Sequence, residues 1–109
     1  MPGRFTEFDR ADLRGAMIDN AKLIEASFVR SDLTDARFDH SDLSKANFTD
    51  ANVSSTNFTH ANVSGTNFAD ATVSEATFER ARHNTQTNWA NGVIPSGVAP
   101  IDEGYGSHS

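Results

Sequence analysis

Large apolar side chains recur along this chain at every fifth position. The series runs Phe8, Leu13, Ile18, Leu23, Phe28, Leu33, Phe38, Leu43, Phe48, Val53, Phe58, Val63, Phe68, Val73 and Phe78 without an exception. Two residues ahead of each stands a small one, from Thr6, Ala11 and Ala16 through to Ala71 and Ala76. Ala81 carries the small series one step further, whereas His83 breaks the apolar one. An α-helix repeats about every 3.6 residues and a strand every 2, so neither produces this spacing, and a coiled-coil heptad fails for the same reason.

A chain that turns a corner after every five residues does produce it. Each side then points one large and one small side chain inward and leaves three facing water. Four such sides close one coil, so residues 20 apart in sequence stack in columns. One inward column reads Phe8, Phe28, Phe48, Phe68 and the opposite one Ile18, Phe38, Phe58, Phe78. Leu13, Leu33, Val53, Val73 and Leu23, Leu43, Val63 form thinner columns between them. Alternating aromatic and aliphatic columns fill a square interior without overpacking it. The residue before each central one becomes Asn five times in a row, at Asn47, Asn52, Asn57, Asn62 and Asn67. Asn bonds nearby backbone at corners, so this row is expected to form turns and polar ladders rather than a ligand site.

These units resemble the pentapeptide-repeat family, whose repeat is A-(D/N)-L-x-x. Ala11-Asp12-Leu13, Ser31-Asp32-Leu33, Ser41-Asp42-Leu43, Ala46-Asn47-Phe48 and Ala61-Asn62-Val63 are close matches. The resemblance implies an all-β fold: a right-handed quadrilateral β-helix, here of about four coils, with a non-repeat C-terminal cap and tail. The expected organisation is a cap over residues 1–5, the β-helix over 6–82, a second cap over 83–95 and a flexible tail over 96–109. Both ends of such a rod expose strand edges and core, which calls for covers. Phe5 is the natural plug at the start and Trp89 the lid at the end. The stretch around Trp89 is similar to the Thr-x-(Trp/Phe)-Pro-x-Gly-Phe ends of many family members, with Ala90 where Pro is usual.

Composition narrows the function. The 109 residues suit one domain, and a net charge of −6 argues against a general nucleic-acid binder. Absence of Cys excludes a disulfide framework, a thiolate metal site and a cysteine nucleophile. No apolar run is long enough to span a membrane, and the first residues lack the apolar segment of a signal peptide, so a cytoplasmic location is expected. His40 and His60 share one repeat position a coil apart and should stack on an outer face, but two imidazoles are short of a metal site. No Ser-His-Asp constellation or phosphate loop can be specified, so neither catalysis nor a cofactor is expected.

Two functions remain. A non-catalytic scaffold would bind an unidentified protein partner through outward apolar residues, of which Met17, Ile24 and Val29 cluster near the first coil. Alternatively, some members of the family that the chain resembles mimic DNA and bind type II topoisomerases such as DNA gyrase. For that role Asp19, Asp39 and Glu79 fall in one outer column, interrupted by Thr59. Residues 5–82 carry 13 acids and eight bases, a net charge of −5. B-DNA carries roughly 12 charges over about 20 Å, the length expected for this rod, so the mimicry is thin.

Overall fold

The computed structural model describes residues 6–100. The chain coils with a 20-residue period, recorded by parallel pairs between successive coils: Glu7 with Ser27, Asp12 with Asp32, Met17 with Arg37, Lys22 with Asp42, and onward to Asn62 with Arg82. Each five-residue side contributes one paired residue, because the corner consumes the rest. Asn52 shows the pattern: its N–H donates to Ser31 O at 2.9 Å and its carbonyl accepts from Leu33 N at 2.8 Å. The sides are thus single-bridge steps rather than long strands. The helical element among the described residues is a 3₁₀ turn at Ala90–Gly92.

The corners close with a bond from the small residue of one repeat to the central carbonyl of the previous one, as in Ala16 N to Leu13 O at 3.0 Å and Ala46 N to Leu43 O at 2.9 Å, except after Ile18, where Ala21 N donates to Ser41 Oγ at 3.1 Å. The residue before that small one has a positive φ throughout, from Arg10 (61°) and Gly15 (71°) to Lys45 (61°), Gly65 (70°) and Arg80 (57°). That bond with positive φ at the third residue defines a type II turn, a place that favours Gly or Asn. This chain mostly fills it with Arg, Glu, Asp, Lys and His. The ladder and core hold those residues in a conformation that costs about 1–2 kcal/mol for a residue with a Cβ.

Inside, Phe28, Phe38, Phe48, Phe58, Phe68, Leu33, Leu43, Val53 and Val63 are fully buried, and Leu23 and Phe78 nearly so. The first aromatic column is a continuous stack, with centroids 5.0 Å apart for Phe8–Phe28, 4.7 Å for Phe28–Phe48 and 5.2 Å for Phe48–Phe68. Phe38, Phe58 and Phe78 stack likewise at 5.4 and 4.7 Å. The two columns meet edge to face across the interior, for example Phe48–Phe58 at 5.8 Å and 88°. Phe8, Leu13, Ile18 and Val73 are only half-buried, because each lies on a terminal coil with core on one side alone. Buried hydroxyls at the small positions are satisfied by backbone carbonyls, 23 residues back for Ser41 to Ile18, Thr56 to Leu33 and Thr66 to Leu43 at 2.6–2.7 Å, and three residues back for Ser31 to Phe28 at 2.7 Å.

The C-terminal end departs from the sequence expectation in three places. His83 interrupts the apolar series in composition but not in space. It is buried at the next inward position of the Leu23, Leu43, Val63 column, with Nε2 2.9 Å from Ala99 O and its ring edge-on to Trp89. Trp89 does not lie across the end as a lid. It stacks on Phe68 at 5.6 Å and 5° and stands edge-on to Phe78, so it is the next ring of the first column. One additional residue between His83 and Asn88 hides this from a strict period, and Asn67 accordingly pairs with Asn88 at a separation of 21. Thirdly, the expected tail is tied down as far as it is described: Arg80 N donates to Gly97 O at 2.7 Å and Ala99 N to Ala81 O at 3.0 Å. Phe5, the expected N-terminal plug, lies outside the described residues.

Candidate functional site

The Asn row is spent on the corners. The Oδ1 atoms of Asn47, Asn52, Asn57, Asn62 and Asn67 accept from the backbone N–H two residues on, at 2.9–3.0 Å. Asp32 and Asp42 do the same at 3.1 Å. These Asx turns use the side chains that a ligand would otherwise meet.

The acidic column is compensated at its first two members. Arg37 Nη2 lies 3.1 Å from Asp19 Oδ2 and 3.3 Å from Asp39 Oδ2, one guanidinium shared by two carboxylates. The remaining oxygens, Asp19 Oδ1 and Asp39 Oδ1, are buried without a hydrogen-bond partner among the described residues. Both acids are therefore drawn into the surface, and Glu79 alone in that column stands exposed. Arg37 holds the bridging position of one side and Asp39 the position two further on. Asp19 occupies the same position as Asp39 one coil earlier, which brings all three together. On the neighbouring side of the first coil, Arg14 clasps Asp12 at 2.7 Å and holds its carboxyl down at about 2, chiefly through the side-chain hydrogen bond.

His40 and His60 stack face to face on the outside, with centroids 4.7 Å apart and planes within 6°. Among the described residues no group of three or more His, Asp or Glu gathers as a metal would require. The apolar trio near the first coil divides. Met17 is 72% exposed and Ile24 47%, whereas Val29 is half-buried, its N–H held by Asp9 Oδ1 at 3.1 Å. The contact patch reduces to Met17 and Ile24.

The sequence did not point to a second apolar surface at the C-terminal end. A groove of about 170 Å³ opens there, lined by Val73, Phe78, Trp89, Ala90, Val93 and Pro95. Val93 and Ile94 beside it are 67% and 55% exposed. The signal that could have found it is the departure from the repeat after Trp89, which leaves the last coil without a neighbour. No helix among the described residues is long and apolar enough to cross a membrane.

Comparison with known proteins accords with this architecture. A family model described as "Pentapeptide repeat region" matches residues 4–78. No curated protein matches the chain. Among solved structures, a pentapeptide-repeat protein of the Arabidopsis thaliana thylakoid lumen is similar at 29% identity and a TM-score of 0.66, covering 67% of this chain and 50% of its own. Rfr23, a pentapeptide-repeat protein from the cyanobacterium Cyanothece 51142, is 23% identical with a TM-score of 0.40, covering 76% of this chain and 56% of its own. The chain thus spans about half the length of these relatives.

Proposed function

Because the chain belongs to the pentapeptide-repeat family, we propose that it is a right-handed quadrilateral β-helix of about four coils serving in the cytoplasm as a non-catalytic protein-interaction scaffold. The observation that carries this reading is the exposed pair Met17 and Ile24, 72% and 47% accessible, held on a frame tied to the next coil by Ile18 N to Arg37 O and Leu23 N to Asp42 O, both 2.8 Å. Apolar side chains displayed on a rigid surface bind without losing backbone freedom, which favours recognition of a protein surface. The test is affinity capture from the native cell extract with the unaltered chain and with the Met17→Ser, Ile24→Ser double variant. A partner retained by the first and lost by the second is the expected result. A capture profile identical for the two would overturn the role of this patch.

Topoisomerase mimicry is the weaker reading, and the reason is Arg37. A DNA mimic must offer uncompensated carboxylates at phosphate spacing, yet Asp19 and Asp39 share a cation and Glu79 is left by itself. We therefore expect no inhibition of gyrase supercoiling at micromolar protein. Dose-dependent inhibition that disappears in the Asp19→Asn, Asp39→Asn, Glu79→Gln variant would reverse the order of the two readings.

A further inference from the structure

The interior coils use their backbone groups twice, once toward each neighbour. On the side carrying Leu33, Asn52 donates to Ser31 O at 2.9 Å, Leu33 N donates to Asn52 O at 2.8 Å and Asp35 N to Ser54 O at 3.1 Å. The equivalent groups two coils later are Ala71 O, Val73 N and Glu75 N, and they have no partner among the described residues. The chain's own continuation could have supplied one. With the register set by Asn67 and Asn88, the residue facing Thr72 would be Val93 and the one stacking on Val73 would be Ile94. Instead the 3₁₀ turn Ala90–Gly92, with Asn91 at φ 55° and Gly92 at 69°, diverts the chain and leaves Val93 and Ile94 exposed. The apolar groove of about 170 Å³ lies beside this open edge, with Phe68, Val73 and Phe78 in its lining.

We propose that the edge Ala71–Glu75 and its groove bind an extended segment of a partner protein, a single aliphatic side chain flanked by basic residues. This rests on the interaction reading above but places a second contact at the opposite end of the rod. The register of the coils dictates the pose. One residue of the segment lies opposite Thr72, donates its N–H to Ala71 O and accepts from Val73 N. The residue after it points into the groove and extends the Leu33, Val53, Val73 column. The next carbonyl accepts from Glu75 N. This is strand addition to an unpaired edge, with affinity from the main chain and selection from the groove.

Charge selects the partner. Asp70 and Glu75, both exposed, stand at the two corners that bound this edge, and no Lys or Arg occurs between residues 46 and 79. A segment with a basic residue two positions before and three positions after the one opposite Thr72 meets both carboxylates. Residues 101–109 carry Asp102 and Glu103 and no Lys or Arg, and a second copy brings a further net charge of −6, so neither complements the rim.

The probe is a capped hexapeptide reading lysine, alanine, threonine, valine, serine, lysine, added to the full chain while amide hydrogen exchange is followed by NMR. The expected result is at least tenfold slower exchange at Val73 and Glu75, with little change at Phe48. A peptide N-methylated at its threonine should give no protection, since the bond to Ala71 O is then impossible. Reversing the rim with Asp70→Lys, Glu75→Lys should weaken binding at least tenfold, and a peptide with glutamates in place of the lysines should recover it. Absence of protection, or equal protection from the N-methylated peptide, overturns the proposal. So does protection already present without peptide, which would mean that Val93–Ile94 closes the edge, or protection that grows with protein concentration, which would mean a second copy does. Partner capture that still depends on Met17 and Ile24 after such a failure would leave the scaffold reading standing.

Discussion

Replacing Phe48 by Ala removes the middle ring of a stack. Phe48 is fully buried, with Phe28 4.7 Å above at 2° and Phe68 5.2 Å below at 12°. Two more rings, Phe38 and Phe58, meet it edge to face at 5.9 and 5.8 Å. Loss of a buried Phe side chain removes about 2–2.5 kcal/mol of transfer free energy. The space left behind is on the order of 100 Å³, which at about 24 cal/mol per Å³ adds roughly 2.4 kcal/mol if it does not collapse. Here collapse is blocked, because the backbone bonds Phe28 N to Asn47 O and Phe48 N to Asn67 O, both 2.7 Å, fix the coils one strand spacing apart. Phe48→Ala should therefore cost about 4–5 kcal/mol, near the top of the range for such substitutions. Phe8→Ala should cost about 1–2 kcal/mol, since Phe8 is half-buried and stacks on Phe28 with one face. Urea melts followed by circular dichroism give both values, read at unchanged m to keep the comparison valid. A Phe48→Ala cost below about 1.5 kcal/mol, or one no larger than that of Phe8→Ala, would refute the stacked-column account.

Two further outcomes can be checked. Asp12 titrates at about 2 against an ordinary 3.8 because Arg14 bonds its ionised form, so the contribution of the pair is full above 3.8 and disappears as pH falls through 2. Arg14→Gln should move the Asp12 midpoint, followed by carboxyl NMR shifts, back up toward 3.8; an unmoved midpoint assigns the depression elsewhere. Gly65→Ala should destabilise by about 1 kcal/mol, because an αL residue with a Cβ costs about 1–2 kcal/mol and the stiffer unfolded chain returns part of it. Its new Cβ also meets Lys45 Cγ at 3.2 Å, whereas at Gly15 nothing lies within 4 Å, so Gly15→Ala should be the milder change in the same melts.

The inward positions were legible because a strict spacing of large and small residues admits one geometry. Legibility failed where that spacing slipped. A single residue between His83 and Asn88 shifts the register, so a search in steps of five finds an end where the core continues through His83 to Trp89. The positive φ at every fifth residue was hidden for another reason. Arg10, Glu25, Arg30 and Lys45 are not residues that announce a left-handed corner; the ladder and the core impose the conformation on them. Pairing on the surface depends on neighbours across coils. Asp19 and Asp39 are acids in one column by sequence, and only adding the bases of the adjacent position brings Arg37 between them. The open edge at Ala71–Glu75 is a property of what the chain does after Trp89, which no count along the repeat contains.

The uniform separation of the ladder pairs has a consequence for how this chain folds. Almost every inter-coil pair joins residues 20 apart, so each requires closure of a loop of the same size. Closing the first such loop costs about 2.7 kcal/mol in chain entropy, plus a constant, before any ring has a partner to stack on. Once one coil stands, each new side docks onto a finished edge and gains its bonds and its ring contact immediately. Folding of this kind starts wherever the first coil closes and then advances like a zip in both directions. The aromatic-rich middle, Phe38 to Phe68, gains most per step, so it is the natural place for the first closure. The ends are added last and released first, which puts the surfaces at Met17 and at Ala71–Glu75 on the coils with the smallest opening free energies.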